Sequence, residues 1–352
     1  MSENIKISIR NLYKIFGDKP SSVIDHVRNG VGKTELLEKH KHILGLQNIN
    51  LDIEERHIHV IMGLSGSGKS TLIRHFNRLI EPTAGEIYVD GNDVMKLNEL
   101  ELREFRRHNL SMVFQKFGLL PHRTVIDNVG YGLAIQGIKG DELKQRSQKW
   151  LDRVGLSGFE KHYPTQLSGG MQQRVGLARA LATDSDILLM DEAFSALDPL
   201  IRTDMQTMLL DLQADLHKTI VFITHDLDEA LRIGDRITIL RDGAIIQDAP
   251  PQDIVMRPAD EYISEFIRDI NRGRVVEVGS IMAPIGSSET SGSPIQVKSS
   301  LEDALPLISE APTHALSVVN KEGAEVGVVT ANDIMKGIAR PEVGDGRKVK
   351  IM

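Results

Sequence analysis

The chain has 352 residues, which corresponds to about two domains of average size. Hydrophobic residues make up 41% and charged residues 26%, as in a globular protein and unlike a disordered or membrane-spanning chain. The net charge of −7 argues against non-specific nucleic-acid binding, and the lack of cysteine excludes disulfides, thiol catalysis and zinc-thiolate sites. The first residues contain no apolar stretch typical of a signal peptide. We therefore expect a cytoplasmic protein.

Strands alternate with helices along most of the chain. The predicted apolar strands are Ile5–Ile9, Ile49–Ile53, Ile58–Met62, Ile187–Met190, Ile220–Thr224 and Ile237–Leu240. Residues 18–42 are polar and predict an excursion from the first sheet, and residues from about 95 to 180 are predicted to be mostly helical. The whole pattern predicts an α/β fold.

A smaller α/β unit is predicted at the end of the chain. Residues 286–294 are rich in glycine and serine and predict a flexible loop. The elements expected around it are helices Leu301–Ile308 and Ala331–Ile338 and strands Leu316–Val319 and Val326–Val329. We therefore predict a domain at 1–270, with a helical subdomain at about 100–180, and a second unit at 271–352.

A phosphate-binding loop follows the strand Ile58–Met62. The pattern G-x-x-x-x-G-K-[S/T] is formed by Gly63, Leu64, Ser65, Gly66, Ser67, Gly68, Lys69 and Ser70, with Thr71 next. The glycines let backbone amides approach phosphates, and the helix beginning near Lys69 points its positive end toward them. Lys69 is expected to reach the β- and γ-phosphates and Ser70 to ligate Mg²⁺. Gly32-Lys33-Thr34 lacks the first glycine of the pattern, at Val27, and is interpreted as loop.

Two carboxylates end the strand Ile187–Met190. Asp191 is expected to hold Mg²⁺, and Glu192 to orient and polarise the attacking water, because phosphoryl transfer needs positioning and charge neutralisation. His225 directly follows the strand Ile220–Thr224. Ligands of parallel sheets bind at the carboxyl ends of the strands, so we expect His225 to contact the γ-phosphate.

The segment Leu167–Arg174 identifies a family. Ser168, Gly169 and Gly170 open a predicted helix at Gln172–Leu181 and form a second anion site. With this segment the chain resembles the ATP-binding-cassette ATPases, whose motifs it carries in order over residues ~5–270. The resemblance implies a P-loop fold with a RecA-like core and a helical subdomain, and Mg²⁺ and ATP as ligands.

The resemblance also gives roles to further residues. Gln115 matches the glutamine loop of the family, which implies roles in catalysis and in metal binding. Asp198, within Ser195–Asp198, matches the loop that crosses the dimer interface, and His225 matches the switch histidine. In the family, ATP lies between the phosphate loop of one subunit and Ser168-Gly169-Gly170 of another. Because this chain has one of each, a dimer of two copies is implied.

An aromatic residue that stacks on adenine is expected after the first strand. Phe16, within Lys14–Gly17, is the best match, and Tyr13 is the second candidate. The alternative for Phe16 is a core position.

Some stretches are similar to one subfamily. They include Val60–Ser70, Asn77–Thr83 and Asp191–Arg202, which resemble the ATPase subunits of bacterial quaternary-amine importers for glycine betaine, proline betaine or choline. The partners this implies are a separate integral membrane permease and, indirectly, an extracytoplasmic substrate-binding protein, with no nucleic acid. The location implied is the cytoplasmic face of the inner membrane. Residues Phe117–His122 suit a groove for a permease helix, or burial under the helical subdomain.

The last unit resembles a CBS module. The segment Gly327–Ile334 resembles the closing motif of that family. The resemblance implies that Thr330 and Asp333 face a nucleotide ribose and phosphate. The alternative is a structural turn in which Thr330 caps the helix. Only one such unit fits here, so it would have to pair with its copy, and a regulatory role remains a hypothesis.

Two other functions are compatible with the sequence. One is a soluble cassette ATPase of translation or DNA repair, although those proteins carry two ATPase units or long insertions. The other is an importer ATPase for another small amine or amino acid such as histidine, because the ATPase subunit does not touch the transported substrate.

Overall fold

The computed structural model describes residues 4–339. It contains two compact units, one up to Asp248 and one from Ala249 onward. Residues 1–3 and 340–352, which the predicted domains also include, lie outside the described residues.

The boundary between the units lies before residues 249–270, which the sequence placed in the first domain. These residues belong to the second unit, and side-chain hydrogen bonds connect them to residues 272–277. The Gln252 side chain donates to the Val275 carbonyl at 2.9 Å and accepts from the Glu277 amide at 3.0 Å. The Arg272 guanidinium donates to the Val255 carbonyl at 2.9 Å.

The first unit alternates strands and helices. Its strands are β1 (Ile5–Phe16), β2 (Ile43–Glu54), β3 (Ile58–Met62), β4 (Ala84–Val89), β5 (Asn92–Asp93), β6 (Leu110–Val113), β7 (Ile187–Asp191), β8 (Thr219–Thr224), β9 (Arg236–Arg241) and β10 (Ala244–Ala249). Its α-helices are α1 (Ile24–Arg28), α2 (Lys33–His40), α3 (Lys69–Phe76), α4 (Glu99–His108), α5 (Val125–Val129), α6 (Tyr131–Ile135), α7 (Gly140–Arg153), α8 (Gly169–Ala182), α9 (Pro199–Leu216) and α10 (Leu227–Ile233). Short 3-10 helices lie at Pro20–Val23, Val94–Lys96 and Pro164–Gln166.

Two sheets organise this unit. The first is antiparallel, with strand order β2-β1-β4-β5, and the second has the order β10-β9-β3-β8-β7-β6. In the second sheet β9, β3, β8, β7 and β6 are parallel, so their carboxyl ends meet at one edge. The sequence analysis missed β6 within the mostly helical region, because a four-residue strand is too short to show an alternating pattern.

The main core combines both sheets with α3. Its cluster of buried residues includes Ile9 and Ile49 from the antiparallel sheet, Leu189 and Val221 from the parallel one, and Phe76 from α3. Strands β3, β7 and β8 are buried along their whole length, which explains their continuous apolar sequences. This buried support fixes the strand ends from which the site is built.

Residues 18–42 are more ordered than the predicted polar excursion. They form a 3-10 turn and the helices α1 and α2, which bury Val23, Val27 and Leu36 against Ile15 and Leu44 in a small separate cluster. The interpretation of Gly32-Lys33-Thr34 as loop is wrong, because α2 begins at Lys33.

The second unit contains one three-stranded sheet among its described residues. Its elements are β11 (Ile295–Gln296), β12 (Ala315–Val319), β13 (Glu325–Thr330), α11 (Pro251–Met256), α12 (Glu261–Phe266), α13 (Arg272–Val275), α14 (Leu301–Glu310), α15 (Ala331–Ile338) and a 3-10 turn at Val278–Ser280. The predicted helix Ala331–Ile338 is confirmed, and the other three predicted elements are extended by one or two residues.

Candidate nucleotide site

The phosphate loop joins β3 to α3 in a conformation that requires glycine at two positions. Gly63 has a φ of 151° and Gly68 a φ of 107°. A Cβ atom on Gly63 would overlap the Leu240 carbonyl oxygen, and one on Gly68 would lie 2.9 Å from the Gly45 carbonyl oxygen. The glycines therefore let the loop lie against its neighbouring backbone.

Lys69 is buried at the base of this loop, where 5% of its surface remains exposed. Its Nζ donates to the carbonyl of Gly63 at 2.8 Å and to that of Leu64 at 3.2 Å, and lies 3.7 Å from Glu192 Oε1. Burial lowers the pKa of Lys69, while the carboxylates of Glu192 and Asp191 act in the opposite direction. A buried ammonium group on a long, flexible side chain is suited to binding a phosphate group.

The loop also holds a buried hydroxyl that is available to a ligand. Ser67 Oγ has no hydrogen-bond partner among the residues that the structure describes. Its side chain points toward Gly63, where an added Cβ would lie 2.7 Å from the hydroxyl oxygen. Buried polar atoms without a partner are rare in proteins, so this hydroxyl fits a site that binds a polar group.

Ser70 and Asp191 place two oxygen donors side by side. Ser70 Oγ donates to Asp191 Oδ1 at 2.8 Å, and Asp191 lies at the buried end of β7. Hydroxyl and carboxylate oxygens are the hard donors that Mg²⁺ uses together with water and phosphate oxygens. The residues present therefore fit a magnesium ion bound next to the phosphate loop.

Arg74 completes this corner, and the sequence analysis missed it. Its Nη2 lies 3.3 Å from Asp191 Oδ2. Arg74 follows Ser70 by four residues in α3, so both side chains lie on one face of the helix. That spacing was the signal that would have found it.

Glu192 is the meeting point of three strand ends. Gln115, after β6, donates from Nε2 to Glu192 Oε2 at 3.1 Å, and His225 Nδ1, after β8, lies 3.5 Å from the same oxygen. Glu192 itself follows β7 and has a φ of 47°, a strained value for a residue with a side chain. The structure thus places Gln115, His225 and Lys69 around Glu192. The position of His225 after a parallel strand was expected from the sequence, whereas that of Gln115 was not, because β6 was missed.

Ser168 and the two glycines begin α8, three residues earlier than the helix predicted. Ser168 Oγ accepts from the Met171 amide at 3.3 Å and so caps the helix. A Cβ on Gly170 would lie 2.6 Å from Ile201 Cγ2, so the glycine permits close packing of α8 on α9. Among the described residues, no hydrogen bond joins residues 168–170 to the phosphate loop.

Asp198 has a similar capping position at the start of α9. Its Oδ1 accepts from the Ile201 amide at 3.1 Å. Leu200, two residues later, is 73% exposed. This loop therefore presents an acidic and an apolar side chain to its surroundings.

Phe16 and Tyr13 differ in their accessibility. Phe16 is 38% exposed at the end of β1, with Lys14 Nζ 4.9 Å from its ring centre. Tyr13 packs against the small cluster of residues 18–42, under the Arg28 guanidinium. Phe16 is therefore the ring with more free surface for stacking, and its role stays a prediction.

Lys33 is a second residue that the sequence analysis did not assign to the site. Its Nζ donates to the carbonyl of Gly66 at 3.3 Å and lies 3.9 Å from Asp242 Oδ1. The helical insertion 18–42 therefore reaches the outer side of the phosphate loop. No signal in the sequence indicated this contact, because the pattern around Gly32-Lys33-Thr34 lacks the first glycine of a phosphate loop, at Val27.

Comparison with known protein families and structures agrees with this geometry. The family model described as "ABC transporter" matches residues 46–195. The structure of the dimeric bacterial ABC transporter cassette MJ0796 is similar, with a TM-score of 0.60 and 34% identity over 70% of this chain and 98% of that one. A structure of the same cassette bound to ADP and Pi has a TM-score of 0.59.

Similarity to characterised proteins extends over more of the chain. It is 49% identical to the glycine betaine transport ATP-binding protein OpuAA of Bacillus subtilis, over 94% of this chain and 78% of that one. It is 52% identical to the glycine betaine/proline betaine transport system ATP-binding protein ProV of Escherichia coli, over 79% and 69%. The chain therefore belongs to the family of ABC transporter ATP-binding proteins that includes these two.

Proposed function

We propose that this chain is the ATPase subunit of an ABC importer, and that it hydrolyses ATP to drive uptake of a quaternary amine such as glycine betaine, proline betaine or choline. The observation that carries the proposal is the convergence of Lys69, Asp191 and Glu192 at one sheet edge. The substrate class follows from the names of the relatives with 49% and 52% identity.

In this proposal the chain's own residues bind and orient the nucleotide. Ser70 and Asp191, with Gln115, would hold Mg²⁺, which supplies charge neutralisation at the β- and γ-phosphates when bound. Lys69 and the amides of residues 63–71 bind the phosphates, and Phe16 stacks on adenine. Glu192 Oε2 orients the attacking water and accepts its proton, while His225 contacts the γ-phosphate.

Two copies complete each site in this proposal. The chain carries one phosphate loop and one Ser168-Gly169-Gly170 segment, and the hydrogen bonds of Ser168 stay within its own helix. A second copy would bring its Ser168 to the γ-phosphate, and Asp198 would lie near the contact between copies. ATP thereby joins the two subunits, and hydrolysis removes the bridging charge.

The dimer is tested with a hydrolysis-deficient variant. Glu192→Gln saturated with Mg-ATP should elute as a dimer in size exclusion with light scattering. Adding Ser168→Arg should return it to a monomer, because a large side chain then blocks the second anion site. A Glu192→Gln variant that stays monomeric, both alone and in the assembled transporter, would contradict the proposal.

A groove beside α4 suits the permease. Its volume is about 660 Å³. Its lining includes the half-exposed apolar side chains of Phe114, Tyr131 and Ile135 and the cationic side chains of Arg103 and Arg107. We infer that it receives a permease helix with an apolar face and an acidic residue, since these complement the lining. The location at the cytoplasmic face of the inner membrane then follows from the permease. Among the described residues, no helix combines the length and apolarity needed to span a bilayer.

Charge reversal tests this contact. Ile135→Glu in the groove and Leu119→Glu in the adjoining loop should leave ATP binding intact and reduce copurification of the permease. Leu37→Glu is the matched control, since Leu37 is 50% exposed on α2, away from the groove lining. If the permease still copurifies with both groove variants, the docking site is wrong.

The second unit is proposed to be a regulatory CBS-like module that pairs with its copy. Its sheet with α14 and α15 is compatible with this. Thr330 and Asp333, however, bind each other: Thr330 Oγ1 donates to Asp333 Oδ2 at 2.7 Å and accepts from its amide at 3.2 Å. This capping box supports the structural alternative for the pair. Transport that keeps its response to salt and to AMP after removal of the unit would exclude regulation by it.

A further inference from the structure

Several polar contacts join helix α9 to helix α10 and to Asp226, which caps α10. Arg202 Nη1 lies 3.0 Å from Asp226 Oδ2, and one turn farther along α9, Gln206 Nε2 donates to Glu229 Oε1 at 3.1 Å. Arg232 holds the Gln206 amide in this orientation by donating to its Oε1 at 2.7 Å. We call the Arg202–Asp226 and Gln206–Glu229 pairs the α9–α10 bracket.

The first helix of the bracket carries the loop with Asp198. Arg202 Nη2 donates to the carbonyl of Leu197 at 3.2 Å, while its Nη1 reaches across to Asp226. One guanidinium therefore holds the backbone directly before Asp198 and a side chain on the neighbouring helix. The planar fork of arginine fixes both directions at once.

His225 lies between β8 and Asp226, the residue that caps the second helix. The Asp226 amide donates to Thr224 Oγ1 at 3.0 Å, and Asp226 Oδ1 accepts from the Glu229 amide at 3.1 Å. Burial raises the pKa of Glu229, and the nearby Thr224 and Gln206 side chains act in the opposite direction. His225 thus lies between Thr224 and Asp226, which are joined by a hydrogen bond, and the Asp226 side chain is held by Arg202.

Burial makes this arrangement specific. Gln206 and Glu229 are each 5% exposed, so a lost partner would leave a buried polar group unsatisfied. The side chain of His225, in contrast, is 55% exposed, and its Nδ1 lies 3.5 Å from Glu192 Oε2. The bracket therefore acts on this ring through the backbone at His225.

We propose that the four residues of the α9–α10 bracket are positioning residues for hydrolysis, which hold His225 in a fixed position relative to the Asp198 loop. This rests on the proposed function, in which His225 contacts the γ-phosphate and Asp198 lies near the second copy. The bracket then joins the hydrolytic residue of one site to the segment that faces the other copy. Displacement of either loop displaces the other.

The experiment combines bracket variants with loss of His225 in the full chain. Arg202→Gln and Asp226→Asn each break the ion pair, and Asp226→Asn keeps the oxygen that caps α10. We expect kcat for ATP hydrolysis to fall roughly ten- to a hundredfold, as for a misplaced catalytic group, with ATP affinity unchanged within about twofold. Arg202→Lys keeps a cation near Asp226 and should restore part of the rate.

The decisive measurement is the rate in the His225→Ala background. If the bracket acts through His225, adding Asp226→Asn should cause no further loss beyond His225→Ala alone. Arg236→Ala is the matched control, since it breaks an ion pair of similar exposure with Asp248 on β9 and β10 and should leave kcat unchanged.

The outcomes separate the two proposals. A further loss in the His225→Ala background, or normal hydrolysis by Arg202→Gln and Asp226→Asn, would overturn the bracket and leave the proposed function intact. A wild-type chain that does not hydrolyse ATP would overturn the proposed function. Equal losses of kcat in Arg236→Ala and Arg202→Gln would indicate general destabilisation and would also overturn the bracket.

Discussion

Lys69 Nζ lies 3.7 Å from Glu192 Oε1, although the two residues come from different halves of the chain. They follow β3 and β7, which are separated in the sheet only by β8. The ammonium group proposed to bind phosphate and the carboxylate proposed to orient water are therefore neighbours at one edge of the sheet. Two predictions depend on this pair.

Replacing Glu192 with glutamine should separate binding from hydrolysis. We expect phosphate release to slow by a factor on the order of 10²–10⁴, the usual contribution of a general base, because the amide cannot accept the proton. ATP affinity should be retained, since Lys69 keeps its backbone contacts. Phosphate release and calorimetric titration measure the two effects. Exposed Glu99→Gln serves as the control, and loss of ATP binding in Glu192→Gln would contradict the assignment.

The same variant should change how ATP binding depends on pH. Burial lowers the pKa of Lys69 and the Glu192 carboxylate counteracts this, so removing that carboxylate lowers the pKa of Lys69 further. Only the charged ammonium attracts phosphate strongly, so affinity falls as the pH rises through this pKa. The alkaline loss of ATP affinity should therefore begin at a lower pH in Glu192→Gln than in wild type. Identical profiles would show that the two groups are not coupled.

The glycines of the phosphate loop should differ in their tolerance of alanine. Gly63→Ala meets both an unfavourable φ and the Leu240 carbonyl, whereas Gly66, with a φ of 79°, has no atom within 4 Å of an added Cβ. We expect Gly63→Ala to abolish ATP binding and lower the free energy of unfolding by more than 2 kcal/mol, on the order of strain plus overpacking. Gly66→Ala should lose only about 1 kcal/mol. Urea unfolding checks both, and equal losses would refute the role of close packing.

His59 should make the fold sensitive to acid. It belongs to β3, which lies between β9 and β8, and its side chain is buried. Its Nε2 lies 2.7 Å from Thr238 Oγ1, and burial lowers the pKa of His59 to about 4. The unfolded chain binds this proton near pH 6.5, so stability is complete above that value and falls as the pH drops toward 4. Between pH 7 and pH 5 we expect a loss of about 2 kcal/mol from this group.

His59→Gln keeps a donor toward Thr238 and removes the titration. Its free energy of unfolding should therefore change less between pH 7 and pH 5 than that of wild type, measured by urea unfolding at both values. Exposed His122→Gln is the control and should follow wild type. A His59→Gln variant with the full wild-type pH dependence would assign the acid sensitivity to other groups.

Local residue patterns predicted much of the fold. The buried strand β3 was predicted with its observed bounds, because a continuous apolar run between two turn signals has few other solutions. Residues 18–42 were not predicted as helices, because Leu36 and Val27 are spaced too sparsely in a polar segment to reveal their small core. The strand β6 was missed because its four residues are too few to show an alternating pattern. The position of Gln115 at the sheet edge was therefore missed as well.

The sequence by itself determined which chemical groups the site contains, since Lys69, Asp191, Glu192 and His225 stand in patterns that specify phosphate and metal chemistry at short range. Only the tertiary structure decided which of them meet and what holds them. The contacts of Lys33 with Gly66 and of Arg202 with Asp226 depend on how distant segments pack, and a contact between distant segments leaves no periodic trace in the sequence.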